Sequence, residues 1–519
     1  MITLPIKKIL PLLFHRVVVF STAIAIQAAV LLIVITRFTN LFVQFYASSV
    51  LLSLIVTLAV INSTSKAAYK IAWIVLVLLF PIFGSIFYLL FGGSRLSRRM
   101  RRKMGIVTGK MAVVLRRAAP PFPEPLQAEP AAAQQSRYIQ EHAFSPPYDN
   151  GSATYFPLGE AKMAALIDAL KNAERYIFLE YFIIDEGTVW TAILDILAEK
   201  AQAGVDVRVI YDDVGCLFTL PYRYDRHLES LGIQCAVFNP FIPVLRSRLN
   251  NRDHRKIAVI DGLVGFTGGI NLADEYTNAK EKYGHWKDTA VMLEGEPVWS
   301  LTVMFLALWG YLRNVDEDLE SFRPTADQLP AYNDAEARGV IQPFTDNPLD
   351  DEPVGETVYL NMISKAEKYI YITTPYLILD SEIMTALGNA AKSGIDVRII
   401  TPHIPDKWYV HAVTRSYYHI LLLAGVRIYE YTPGFMHSKT FVVDDKYSVI
   451  GTINLDYRSL YLHFECGTWL YGVPALMDVK RDFLQTLPKC EEIYIAQLLL
   501  LPWYRKVGRT VLRIFAPLM

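Results

Sequence analysis

Hydrophobic positions fall into distinct patterns along the chain. Between residues 17 and 91 they run almost unbroken in three segments, Val17–Thr36, Leu41–Ile61 and Ile71–Phe91. Each is close to the ~20 residues that cross a hydrocarbon core, which predicts transmembrane helices. The first is long for a signal peptide and is followed at once by more apolar sequence, so cleavage is not expected. From Ala118 to about Tyr148 the hydrophobic period vanishes and Pro, Ala, Gln and Glu dominate, which predicts a linker that leaves the following region free in orientation. Beyond it, continuous apolar runs alternate with helical periods, the pattern of α/β strands buried on both faces. The end of the chain mixes leucines with Trp503, Tyr504, Arg505, Lys506, Arg509 and Arg513 after Pro502. That pattern fits an amphipathic helix at a membrane interface and equally a last helix packed on the core, and the membrane-associated reading is the one taken.

The α/β region is written twice. Ala173–Leu179 corresponds to Ala366–Ile372, Gly204–Ile210 to Gly394–Ile400, and Leu231-Gly232-Ile233 to Ala424-Gly425-Val426. Each half reads helix, strand, helix, strand, helix, strand, hairpin. The hairpin carries polar residues at matched spacing. His254, Lys256, Asp261, Gly268, Gly269 and Asn271 answer to His437, Lys439, Asp444, Gly451, Thr452 and Asn454. Side chains two apart on a strand share a face, so each His stands beside its Lys, a pair suited to a phosphate. One His-Lys pair serves one side of a reaction, whereas two facing pairs make an acid and a base, so one site shared between halves is expected. The domain reading is 1–93 transmembrane anchor, 94–150 basic segment and linker, 151–325 first half, 326–492 second half and 493–519 C-terminal amphipathic helix.

Composition sharpens this picture. A mean hydropathy of +0.25 and 52% hydrophobic residues place part of the chain in lipid. A net charge of +0 gives no basic track for nucleic acid. Cys216, Cys235, Cys466 and Cys490 show neither metal-ligand spacing nor a disulfide framework, as suits a reducing cytoplasm. The basic run Arg95, Arg98, Arg99, Arg101, Arg102 and Lys103 belongs on the cytoplasmic face and can also meet anionic headgroups. With three crossings the N-terminus lies outside. If the third segment, with Pro81 and Gly84, is re-entrant, two crossings leave both ends inside.

The doubled His-x-Lys-x4-Asp pattern, each followed by Gly-Gly/Thr-x-Asn, resembles the paired motifs of the phospholipase D superfamily. Trp73, Pro81, Gly84 and Tyr88, the run Thr373-Thr374-Pro375-Tyr376, Gly268-Gly269-Ile270-Asn271 and Asn454-Leu455-Asp456-Tyr457-Arg458-Ser459 extend the resemblance to membrane-anchored bacterial cardiolipin synthases. The resemblance implies two phospholipase D-like halves sharing one active site behind N-terminal transmembrane helices. It also implies a multi-pass protein of the bacterial cell membrane with its catalytic region on the cytoplasmic side. The reaction implied is phosphatidyl transfer between two phosphatidylglycerols, giving cardiolipin and glycerol through a phosphohistidine.

In that reading Lys256, Lys439, Asn271 and Asn454 hold the equatorial oxygens of the phosphoryl group. His254 is the nucleophile and His437 the acid/base, with the reverse assignment open. Asp261 and Asp444 belong to the catalytic motif by resemblance. Their position at the hairpin turn, out of step with the His-Lys face, points instead to a structural bond. Asp288 and Glu465 are the expected partners of the imidazoles, Asp288 for His254 and Glu465 for His437. His403, His411, His419 and His463 are expected to be structural or substrate-lining. No metal and no cofactor are expected, since a lysine beside each histidine supplies the positive charge. Competing readings are a phosphodiesterase that uses water, synthesis with phosphatidylethanolamine as donor, a nuclease, and a scaffold without activity. The intact paired motifs argue against the last. No protein partner is indicated.

Overall fold

In the computed structural model the described residues are 29, 32, 33, 36, 42–63, 65–92, 98–119, 122–240, 251–329, 339–350 and 352–518. The two halves repeat one sheet. The first runs in the order Gly151–Phe156, Ala290–Gly295, Val264–Gly268, Lys256–Ile260, Tyr176–Tyr181, Asp206–Asp212, Gln234–Phe238. The second runs Val340–Asp346, His463–Tyr471, Tyr447–Gly451, Thr440–Val443, Tyr369–Thr373, Asp396–Pro402, Arg427–Tyr431, and adds Cys490–Ile493 at its edge. Strands 176–181, 206–212 and 234–238 pair in parallel, and the hairpin strands pair antiparallel beside them. This is the α/β duplication expected from the sequence.

Why the halves stay together follows from burial. One face of each sheet packs its own helices, around Leu166, Ile193 and Leu228 in the first half and Val358, Leu387 and Leu421 in the second. The other two faces share a single core with helix Val298–Arg313, in which Phe178, Val259, Phe305, Val442 and Leu470 are all buried. Phe178 stacks on Phe305 with ring centroids 4.6 Å apart. Separating the halves would expose this core at roughly 25 cal/mol per Å² of apolar surface, so they form one body.

Residues expected to form a free linker are instead folded onto the second half. Helices Glu124–Ala128 and Pro130–His142 bury Leu126, Ala132, Ala133 and Ile139 in its core. Prolines at helix starts, where the N–H is unpaired anyway, begin these helices rather than forbid them. The small alanine face carries too weak a hydrophobic signal to stand out in the sequence. The basic segment continues as helix Arg98–Ala118, whose Met111 and Leu115 pack on Trp299 and Val303.

Of the three apolar segments, the first falls largely outside the described residues. The second forms helix Phe42–Ile61. The third is not one helix: Ala67–Leu79 ends at Phe80, and Pro81–Phe87 doubles back. The fold-back is tight enough that a Cβ on Gly84 would sit 2.3 Å from the Leu76 carbonyl oxygen. Among the described residues, no helix is long and apolar enough to cross a membrane.

The motif aspartates fix the hairpins. Asp261 accepts backbone N–H groups of Glu174, Arg175 and Tyr176 at 2.8, 2.7 and 2.8 Å. Asp444 does the same for Glu367, Lys368 and Tyr369 at 2.5, 2.8 and 2.8 Å. Both have φ of 55°, in the left-handed region, where short polar side chains are tolerated best after glycine. Counting them with the catalytic residues is therefore corrected: each ties the turn to the start of the neighbouring strand. Asp261→Asn or Asp444→Asn is expected to cost about 2–4 kcal/mol, read as a lowered midpoint in thermal unfolding. Turnover per folded molecule should be unchanged, and a loss of turnover at full stability would return the aspartate to the reaction.

Candidate active site

Each histidine enters the site through a ribbon that joins the halves. Arg252–Asp253 pairs in parallel with His463–Phe464, and the His254 N–H donates to the Phe464 carbonyl at 2.9 Å. Gly434–Met436 pairs in parallel with His285–Lys287, and the His437 N–H donates to the Lys287 carbonyl at 2.7 Å. The next residue on each partner strand completes the contact. His254 Nδ1 lies 2.9 and 3.0 Å from the two Glu465 oxygens, and His437 Nδ1 lies 2.5 Å from Asp288 Oδ2. The expected pairing is thus corrected. Both carboxylates do meet histidines, but each serves the histidine of the other half, because the ribbons are in register across halves.

Burial sets the electrostatics. His254 and His437 are both 7% exposed, while Asp288 and Glu465 are fully buried. The His254 imidazole is held well below its usual value by burial, then by Lys256, Lys439 and His437. The two lysines and the other histidine thus all act on this one ring. Burial and Lys439 push His437 down to about 4 against the pull of Asp288. Lys256 is lowered to about 7 and Lys439 to about 8, chiefly by burial. Burial works to raise Asp288, but Lys439 and His437 outweigh it and keep the carboxyl below its usual range. Asp288 is thus ionised and takes the Nδ1–H of His437. Lys439 Nζ, 2.9 Å from the same Nδ1, cannot donate to a protonated nitrogen and acts there as a charge, while donating to the His437 carbonyl. With Nδ1 occupied on both rings, each Nε2 is the atom left for chemistry.

The remaining site residues fall unevenly. Asn271 accepts from the Ile183 N–H at 3.0 Å and donates to the Tyr276 hydroxyl at 2.7 Å. Asn454 donates to Ser459 Oγ at 3.1 Å. Tyr276 and Ser459 stand five residues after their asparagines, a matched offset visible in the sequence but not read there. Gly269 and Thr452 differ for a steric reason. A Cβ on Gly269 would lie 2.0 Å from Asp288 Oδ1, whereas Thr452 donates its hydroxyl to the longer Glu465. Phe182 and Tyr276 set their rings edge-on to His254 and His437, with centroids 5.1 and 5.5 Å away. His463, expected to be structural or substrate-lining, lies 3.6 Å from Glu465 with its ring 5.7 Å from that of His254.

The crossed pairing makes a prediction that pairing within halves reverses. Asp288→Asn should slow modification of His437 by diethyl pyrocarbonate about tenfold and leave His254 unchanged, and Glu465→Gln should do the opposite. Peptide mass spectrometry reads each histidine separately.

Comparison with known proteins bears on this geometry. A family model described as "Cardiolipin synthase, PLD-like domain" matches residues 166–295 and again 359–487. One described as "Phospholipase_D-nuclease N-terminal" matches residues 51–93. A cardiolipin synthase of Geobacillus kaustophilus is 35% identical, over 91% of this chain and 93% of its own. An uncharacterized protein of Streptococcus mutans is 43% identical, over 89% of this chain and 99% of its own. Among solved structures, phosphatidylserine synthase of Haemophilus influenzae matches with a TM-score of 0.55 at 16% identity, covering 74% of this chain and 97% of that one. That likeness concerns the fold alone. With two matched repeats and relatives aligned along nearly the whole length, the chain belongs to the cardiolipin synthase family of the phospholipase D superfamily.

Proposed function

We propose that the chain is a phosphatidyltransferase that makes cardiolipin and glycerol from two phosphatidylglycerols. The observation that carries this reading is the pair of histidines, one from each half, each with Nδ1 held by a carboxylate of the other half and Nε2 left for reaction. Burial and the neighbouring lysines hold both imidazoles below their usual value, so both rings start the reaction neutral; we take His254 as the nucleophile and His437 as the acid/base.

In the first step His254 Nε2 bonds to phosphorus and the P–O bond to glycerol breaks. Its oxygen takes the Nε2 proton of His437. In the second step a hydroxyl of another phosphatidylglycerol gives its proton to His437, its oxygen bonds to phosphorus, and the P–N bond breaks. Lys256 and Lys439 offset the charge on the equatorial oxygens, with the remaining amide N–H groups of Asn271 and Asn454 as further donors. Enclosure favours a bound alcohol over water at the intermediate.

Membrane contact is part of the proposal. Helix Phe42–Ile61 exposes Leu51, Leu54, Ile55 and Leu58, and the side chains described in it begin only at Ala47. The whole helix is 20 residues, about 30 Å long. The chain touches the catalytic body on either side of the following hairpin. Lys66 Nζ meets Glu356 at 2.8 Å, and Lys103 Nζ donates to the Tyr311 carbonyl at 2.5 Å. The hairpin 67–92 therefore leaves and returns on one side. With the third segment re-entrant, the sequence reading of two crossings by the first and second apolar segments puts the catalytic region in the cytoplasm. The C-terminal helix Trp503–Ile514 meets the same membrane surface through its exposed apolar side chains.

Two experiments test these readings. Purified chain in phosphatidylglycerol vesicles, with chelator present, should give cardiolipin and glycerol in equal amounts. His254→Ala should leave no phosphohistidine while His437→Ala leaves a trace; phosphatidic acid as the main product would instead make the chain a hydrolase. Asn62→Cys and Gly109→Cys should both react with an impermeant thiol reagent only in inverted vesicles. Labelling of Asn62→Cys in intact cells would restore three crossings.

A further inference from the structure

A cavity of about 340 Å³ lies between helix Trp408–Leu423 and the C-terminal segment, away from the paired histidines. Arg415, Lys506, Arg509 and Arg513 line it together with Leu498 and Leu499, and no carboxylate does. Arg415 is already neutralised by Glu430, its Nε 2.8 Å from Oε1. Lys506 Nζ donates to the Leu499 carbonyl at 2.9 Å, and Arg513 lies 5.9 Å from the Tyr417 ring centroid. Among the described residues, neither Lys506, Arg509 nor Arg513 has a carboxylate in salt-bridge range. Burial, with Arg415 next, holds the Arg509 guanidinium below its usual value. Three cations thus converge on one space without a counter-ion.

The helix that supplies them is turned the wrong way round for a soluble protein. Lys506, Arg509 and Arg513, spaced by three and four, face the cavity. Trp503, Val507, Val511 and Ile514, spaced by four, four and three, face outwards, and Trp503 is 75% exposed. Leu500, just before it, is 85% exposed. An apolar stripe belongs against an apolar partner, and none of the described residues covers this one.

We propose that this cleft is an accessory site for the phosphodiester headgroup of an anionic phospholipid in the bilayer, with the outward apolar stripe set among the acyl chains. The assignment rests on the reading that the C-terminal helix meets the membrane. Guanidinium groups offer planar paired donors to phosphate oxygens, which suits one headgroup between Arg509 and Arg513. The cleft also borders the helix whose first residue, Trp408, is exposed close after Asp406, and Asp406 accepts from Tyr376 at 2.6 Å. A lipid held there would present the second half's rim to the same surface.

The test counts lipids rather than products. Full-length His254→Ala chain in neutral detergent is mixed with phosphatidylglycerol, with phosphatidylcholine, or with phosphatidylglycerol plus equimolar inorganic phosphate, and bound copies are counted by native mass spectrometry. The expected result is one phosphatidylglycerol more than is retained by the same chain carrying R509Q and R513Q, whose affinity at this site falls about tenfold. R509K with R513K, which keeps the charge but not the paired donors, should retain it in part, and K506Q, on an exposed side chain, should also lose part of it. Equal retention by the R509Q/R513Q chain at equal thermal stability overturns the site. Equal retention of phosphatidylcholine reduces it to an apolar surface, and displacement by inorganic phosphate makes it a site for free phosphate. Because the count needs no turnover, a chain that fails to make cardiolipin can still show the site, and a chain without the site can still make cardiolipin.

Discussion

Everything in the pocket depends on a carboxylate from one half gripping the imidazole of the other. His254 with Glu465 and His437 with Asp288 are contacts between halves, so neither half contains a complete acid or base. The consequence is structural as well as chemical. A lone buried carboxylate or imidazole costs several kcal/mol in desolvation, and each half alone would carry such groups unpaired. The shared apolar core and the two parallel ribbons bring the halves together, and the crossed contacts then decide in what register they meet.

The residue between His and Lys shows how the duplicated halves have diverged. Its side chain points away from the pocket. In the first half it is Arg255, whose Nε lies 2.6 Å from Glu180 Oε1 and 3.3 Å from Asp253 Oδ1. In the second it is Ser438, joined to Thr373 at 2.8 Å and Thr289 at 3.0 Å. A buried ionic layer thus backs His254 and a neutral hydroxyl layer backs His437. The same asymmetry recurs in front, where Gly269 yields space to Asp288 and Thr452 steadies Glu465. Two copies of one motif therefore offer two unequal imidazoles, as a reaction with one nucleophile and one acid/base requires.

How much of this could be read from the chain depends on whether the information is local. The duplication, the two hairpins and the His-Lys faces follow from period and spacing, and the structure keeps them. The turn geometry of Asp261 and Asp444 was legible for the same reason: an aspartate out of step with a strand face and next to a turn bonds backbone. The crossed pairing was not legible, because the carboxylate follows its own half's motif in sequence and only the register of strands distant in the chain assigns it to the other. The helices at 124–142 were hidden by alanine and proline, whose burial is decided by the surface they meet. The hairpin at 67–92 sat between these cases, since Pro81 and Gly84 marked the break but not the direction of return.

The lysines complete the argument about charge. An ammonium buried as deeply as Lys256 or Lys439 is expensive, which is why burial lowers them to about 7 and about 8. Without substrate the pocket holds Asp288 as an anion among lysines poised near neutrality and two imidazoles that resist protonation. A phosphodiester entering this space adds a negative charge at low dielectric. That charge favours the protonated form of every base around it. Loading is thereby coupled to proton uptake, and the imidazolium that must protonate the leaving glycerol forms most readily when there is a phosphate to act on. A free-standing cationic pocket would bind any anion that reached it. One that acquires its charge with its substrate is selective for a ligand that can also fill the aromatic walls formed by Phe182 and Tyr276.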